Sequence, residues 1–242
     1  MKYHIFSGKN CLVTGASGGI GKHIAMKFAE NECNLFLSGT NGEKLRKLKE
    51  DIESVCLKTA KIFYDQADLN KVQDIYKIIE LVRKELGSID ILIHCAGVFI
   101  VKPISDTSLE DFESTFNLNL KATFLFCKEF SHDMVKNKWG RIINIGSSSA
   151  YSGAQNTSLY CASKHAVLGF SRALHEELKC NNVRVYCISP AGAKTEMGKL
   201  IPNQNFDTFI NPHEIADYVL FISSYDGDMV SDEIRLNRMI IR

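Results

Sequence analysis

Proline and tryptophan are scarce in this chain of 242 residues, which holds four of the first and one of the second. Sixteen glycines with so few prolines exclude collagen-like and proline-rich disordered chains, and 45% apolar against 24% charged residues suits a protein that buries a core. Neither sign of charge is in surplus: 29 Lys and Arg against 28 Asp and Glu leave +1. No overall field therefore draws the chain to nucleic acid or to an anionic membrane. Long apolar runs are missing too. The longest uncharged stretch, 142–163, is full of serine, glycine and side-chain amides, too polar for a spanning helix. The opening MKYHIFSGKN has no apolar segment of the kind a signal peptide needs. A cytoplasmic protein with no membrane and no nucleic-acid partner is expected.

Metal-ligand spacings are equally absent. The eight cysteines (11, 33, 56, 95, 127, 161, 180 and 187) never lie closer than seven residues apart, and His175-Glu176 is followed by Lys179 where a zinc-binding helix would place its second histidine. No metal site is expected, and the cysteines read as reduced structural thiols.

What is present is alternation. Short β-prone runs at 10–14, 34–37, 60–64, 90–94, 141–145 and 183–188 are separated by segments of helical period at 19–31, 43–58, 71–86, 109–137 and 160–179. A last helix at 212–223 and a strand at 233–236 close the pattern. Right-handed βαβ crossovers of this kind build an α/β fold, here a single-domain doubly wound parallel sheet of Rossmann type with helices on both faces, covering 1–242. Ligands of such sheets bind beyond the carboxyl ends of the strands, so motifs at strand ends carry the argument.

The first strand runs into Gly15-Ala16-Ser17-Gly18-Gly19-Ile20-Gly21 and then a helix. Glycines there let backbone approach a pyrophosphate, and the helix start offers unpaired N–H groups; a plain glycine-rich turn is the competing reading. The second strand ends Ser38-Gly39-Thr40-Asn41, with no acid before Glu43. A carboxylate there would grip the ribose hydroxyls of NAD(H) and repel a 2′-phosphate, so its absence favours NADP(H), unless the turn has no say in cofactor choice. Tyr160 and Lys164 stand four apart on one helical face, where the ammonium can lower the phenol's pKa and ready it for proton exchange at a carbonyl or alcohol oxygen. Ser147, at the end of the fifth strand, can hold the same oxygen. The Tyr-Lys pair alone arises often by chance, and its meaning comes from its neighbours.

Taken in order, TGASGGIG, Asn119 in FNLNLKA, Ser147 in GRIINIGS, Tyr160 and Lys164 in YCASK, and Pro190 with Thr195 in PAGAKTEM resemble the short-chain dehydrogenase/reductases over about residues 8 to 197. The resemblance implies hydride transfer with NAD(P)H, Tyr160 as proton donor or acceptor, Lys164 on the nicotinamide ribose, Ser147 polarising the substrate oxygen, and Asn119 completing a proton relay. It also implies cofactor contacts from Gly15, Ser17, Gly18, Gly19, Ile20 and Gly21, from Gly39, Thr40 and Asn41, and from Asp68 and Leu69 at the adenine. Ala96 and Gly97 would pass beneath the cofactor, with Pro190, Ala193 and Thr195 at the nicotinamide. A homodimer or homotetramer acting on a small carbonyl or alcohol is implied as well.

Three features depart from the family pattern. His94-Cys95 stands where two asparagines are usual, and His94 is either a satisfied core histidine or a titrating group. Ala191 replaces a glycine, and the stretch 197–214 is a short substrate lid followed by SDEIRLNRM in place of a glycine-rich end. The expected function is an NADP(H)-preferring carbonyl reductase or alcohol dehydrogenase. The alternatives are a 3-oxoacyl-carrier-protein reductase and a non-catalytic NADP-binding regulator. For the carrier-protein reading, Lys136, Lys138, Arg141, Lys179 and Arg184 would supply a basic docking rim, although cations at helix ends also serve the helix dipole.

Overall fold

Runs of aliphatic residues four to eight long form seven strands in the computed structural model, which describes residues 3–56 and 60–240. They are β1 (Asn10–Thr14), β2 (Asn34–Gly39), β3 (Ile62–Gln66), β4 (Ile91–His94), β5 (Gly140–Ile145), β6 (Val183–Pro190) and β7 (Glu233–Leu236). The helices are α1 (Gly21–Glu30), α2 (Gly42–Val55), α3 (Val72–Leu86), α4 (Leu109–Phe116), α5 (Ala122–Lys136), α6 (Ser158–Leu178) and α7 (Pro212–Ser224). The strands form one parallel sheet in the order β3-β2-β1-β4-β5-β6-β7. The chain steps outward from β1 to β3, then returns past β1 to β4, so a crevice opens at the carboxyl ends of β1 and β4.

Alternation along the strands divides the core. Val13, Leu35, Ile93 and Ile143 face one layer with Ile24 and Phe28 of α1, Leu45 of α2 and Val219 of α7. Leu12, Phe36, Leu92 and Ile142 face the other with Ile78 of α3 and Phe126 and Phe130 of α5. Helices thus cover both faces, which explains why the inner strands read as continuous apolar runs.

Three expectations change at element ends. The third strand starts at Ile62 rather than 60. The second helix ends at Val55, and the last two residues of the expected span 43–58 lie outside the described residues. The long helix expected at 109–137 is broken: α4 has a Ser108–Asp111 capping box, then a π-turn at Asn117–Lys121 inserts an extra residue before α5. The π-turn rotates α5 relative to α4 and drives Asn119 inward, where it is buried.

Of the five cations expected to form a basic rim, Lys136, Lys138 and Lys179 are exposed and two are not. Arg141 and Arg184 sit side by side at the amino ends of β5 and β6, opposite to the crevice, and both are buried. Arg141 donates from Nε to Ser223 O at 3.1 Å and from Nη1 to Gly140 O at 2.9 Å, and pairs with Asp226. Arg184 donates from Nη1 to Met229 O at 3.1 Å. Both cations are spent closing the loop after α7, because a buried guanidinium must satisfy several donors at once. Arg141→Met should therefore lower unfolding free energy by about 2 kcal/mol, the cost of orphaning buried acceptors. A urea midpoint equal to that of the unchanged protein would refute the assignment.

Candidate active site

Gly15 leaves β1 at φ +64°, and a Cβ on it would lie 2.7 Å from the Ala96 nitrogen. Only glycine allows the turn to press this closely on the backbone after β4. Gly21 is held for the same reason, since its Cβ would meet Gly15 O at 2.4 Å. α1 then begins with no side-chain cap. Its first N–H groups, with those of the turn, border the crevice and form an anion-binding helix start.

The crevice holds about 1300 Å³. Gly15, Ser17, Gly18, Gly19, Ile20 and Gly21 line it from one side, with Gly39 and Thr40 at the end of β2 and Leu69 after β3. Ala96 and Gly97 form its floor, and Ser147, Tyr160 and Lys164 its far wall. Pro190, Ala193 and Thr195 come down from β6 to close it. The glycine loop and the closing turn touch: a Cβ on Gly19 would strike Thr195 Cγ2 at 2.4 Å.

β5 delivers Ser147 in extended backbone, its Oγ accepting from Ser149 N at 3.1 Å. Tyr160 and Lys164, in the first two turns of α6, are buried beside it. Phe99 meets the Tyr160 ring edge-on at 4.6 Å between centroids. Lys164 donates to Ile145 O at 2.8 Å, with Nζ 5.7 Å from the Tyr160 ring centre. Burial pushes its ammonium down to about 8, so it still carries a proton at neutral pH. The expected lowering of the Tyr160 pKa is not what this arrangement gives. Burial raises it, and Ser147 is the group that opposes the rise. Both ionisable groups sit in a dry wall, and desolvation of the charged form is the largest cause of each shift.

Asn119 lies beneath the floor. Its Oδ1 accepts from Val98 N at 2.8 Å, and its Nδ2 donates to Val98 O at 3.1 Å and to Ser163 Oγ at 3.0 Å. It ties the π-turn to the irregular segment following Gly97 and to α6. Two other expected contacts face elsewhere. Asn41 caps α2, its Oδ1 accepting from Lys44 N at 2.8 Å, and Asp68 accepts from Asn70 N and Nδ2, each at 3.1 Å. Neither borders the crevice, because short polar side chains in turns bond their own backbone first. Lys44, Lys47, Phe99 and Arg238 do border it, and the sequence reading missed them. Lys44 and Lys47 are three apart on α2, a spacing that could have flagged them.

A family model described as short chain dehydrogenase matches residues 9–205. This chain belongs to that family. It is 30% identical over 236 residues to a 3-oxoacyl-(acyl-carrier-protein) reductase of Aquifex aeolicus, covering 94% of each chain. It is 34% identical over 237 residues to a D-threitol dehydrogenase of Mycolicibacterium smegmatis, covering 93% of this chain and 89% of that one. A solved metagenomic short-chain oxidoreductase in complex with NADP superposes with a TM-score of 0.84 at 27% identity, covering 97% of this chain and 99% of the other. As a short-chain dehydrogenase, the protein is an NAD(P)-dependent oxidoreductase acting on a small molecule.

His94 closes β4 at the edge of the crevice. That ring is buried, with Nδ1 3.0 Å from Thr14 Oγ1, which bridges β1 to β4 where the crevice opens. Nε2 is closed off with no partner in hydrogen-bond geometry. Burial, reinforced by the charge on Lys164 and opposed by the Leu118 backbone, lowers the His94 pKa from 6.5 to about 3. Of its two readings, the geometry supports a core histidine, but one satisfied at Nδ1 only and not at Nε2. The unfolded chain takes up this proton as pH falls below 6.5, whereas the folded chain does so only near 3. Stability is therefore lost on acidification through that window, by at most about 1.4 kcal/mol per pH unit. His94→Asn, which can keep the Thr14 bond and cannot titrate, should show a shallower fall of unfolding free energy between pH 6.5 and about 4. Parallel curves would refute this role.

Proposed function

We propose that this short-chain dehydrogenase interconverts a small carbonyl and its alcohol, with a preference for NADP(H). The observation that carries the reading is the convergence of Ser147, Tyr160 and Lys164 on the crevice wall opposite the glycine loop. NADP(H), when bound, supplies or takes the hydride. The Ser147 hydroxyl donates to the substrate oxygen, and Tyr160 gives it the phenolic proton in reduction or removes it in oxidation. Lys164 keeps an ammonium beneath the phenol, and Asn119 holds the floor that positions both. Among the cofactor contacts, Gly15 to Gly21 would hold the pyrophosphate and Pro190, Ala193 and Thr195 the nicotinamide. Tyr160→Phe should leave NADPH binding nearly unchanged and lower kcat at least about 100-fold, within the usual range for an acid–base group. Retention of most turnover would remove the mechanism.

The cofactor preference rests on charge. Thr40 is exposed at the crevice, no acid stands at 38–41, and Lys44 and Lys47 border the same end. Gly39 is kept free of a side chain by Ser17, whose Oγ would lie 2.5 Å from its Cβ. Cations and an open turn suit a 2′-phosphate. Thr40→Asp should weaken NADPH at least about tenfold, or 1.4 kcal/mol, without weakening NADH. Tighter binding of NADH by the unchanged protein, in a fluorescence titration, would sink the preference.

The carrier-protein reading draws support from the 30% identity to the Aquifex enzyme. It loses two cations of its docking rim, Arg141 and Arg184, to the buried loop anchor. Lys138→Glu should accordingly leave kcat/KM on an oxoacyl carrier protein within about twofold, and a large salt-sensitive loss would restore that reading. The non-catalytic alternative has no use for a phenol and a buried ammonium on one wall. We also infer a single catalytic unit over 1–242, a cytoplasmic setting, and pairing of copies through α4 and α5, where Leu109, Phe112 and Phe124 are exposed.

A further inference from the structure

Beyond β7 the chain turns back over the short lid, and Arg238 enters the crevice. Its Nη2 donates to Gln204 Oε1 at 2.8 Å and its Nη1 to Thr208 Oγ1 at 3.2 Å. The guanidinium lies over Phe209, 5.1 Å from the ring centre. Phe209 is buried against Gly192, where an added Cβ would be 3.0 Å from the ring. Gly192 adjoins Ala193, in the turn that closes the wall facing Tyr160. Arg238 therefore stands at the substrate end of the crevice and not at the adenosine end.

Both acceptors it has found are neutral. Nε is shut off from solvent with no partner, and among the described residues no carboxylate pairs with Arg238. Lys194, exposed on the same rim, likewise has no ion pair among them. The nearby acid Glu196 is held by Lys199 at 2.6 Å. A guanidinium has five N–H donors in a planar fork, of which two are used here. A strap for the lid needs no charge, and keeping an unpaired cation half-buried is costly. The unused Nη donors, and a charge with no carboxylate partner among the described residues, ask for an oxyanion.

We propose that Arg238 is a subsite for an anionic group on the substrate, a carboxylate or a phosphate ester carried near the reacting carbonyl. This rests on the carbonyl-reductase reading and narrows its substrate class to small oxo acids or keto phosphates. Lys194 adds a second cation for the same group.

The test uses matched pairs: acetoacetate against methyl acetoacetate, and dihydroxyacetone phosphate against dihydroxyacetone, monitored by NADPH oxidation. The unchanged protein should favour the anion of at least one pair by tenfold or more in kcat/KM, and the responding pair tells carboxylate from phosphate. Arg238→Gln should reduce that anion-to-neutral ratio at least about tenfold through KM, and Arg238→Lys, which keeps the charge without the fork, should reduce it less. Equal loss on both members of a pair would mark Arg238 as a lid strap and overturn the inference, as would equal preference in the unchanged protein. Calorimetric titration with malonate and with inorganic phosphate, with and without NADP⁺, gives a readout free of turnover. Anion binding abolished by Arg238→Gln in a protein that oxidises no NADPH would support the subsite and remove the reductase reading. Absence of anion binding, or binding indifferent to Arg238→Gln, would overturn the subsite even if turnover is seen.

Discussion

The contact on which the rest of the molecule depends is the approach of Gly15 to the backbone of Cys95 and Ala96, too close for any Cβ. It fixes β1 against β4 at the point where the strand order reverses. From there, the start of α1, the crevice floor and the opening toward β5 follow as geometry. Thr14 and His94 bridge the same two strands one step earlier with a side-chain bond of 3.0 Å. Backbone contact and side-chain bond thus pin one junction from two sides. A sheet of seven strands has many crossings, but only this one carries the site, and here the packing tolerates least change.

A second constraint is the dry wall. Ser147, Tyr160 and Lys164 are all buried in a region that also holds His94, and two opposite protonation outcomes result. Lys164, lowered by burial only to about 8, keeps its proton at neutral pH and donates to Ile145 O. His94 has no such well-placed acceptor for Nε2 and stays neutral. Burial lowers both bases, and their different ordinary values, 6.5 for the imidazole and 10.5 for the ammonium, leave one charge beneath the phenol without a competing one.

Much of the fold was legible because strands and helices of an α/β sheet have distinct periods, and the glycine turn, Ser147 and the Tyr160–Lys164 pair lie at strand ends or on one helical face. The features that escaped did so for physical reasons. The break at Asn117–Lys121 leaves a helical pattern on both sides, so apolar spacing does not betray a π-turn. Arg141 and Arg184 looked like surface cations because nothing local announces the carbonyls around residues 223 to 229 that bury them. Asn41 and Asp68 occupy family positions but spend their side chains on local turns. Arg238 was invisible for the opposite reason: its partners Gln204 and Thr208 are about thirty residues away and come together only when the lid folds.

The balanced total of +1 conceals an uneven crevice. Lys44, Lys47, Lys194 and Arg238 all border it, together with the uncapped start of α1. Two acids border it as well, Asp51 beside Lys47 and Glu196, the second paired with Lys199. Each stretch of positive potential is local, within roughly one Debye length of about 8 Å at physiological salt. A ligand with anionic groups spaced along it would meet several of these cations within the crevice. The charge pattern thereby suits an anionic ligand entering the crevice, a property that the net charge alone conceals.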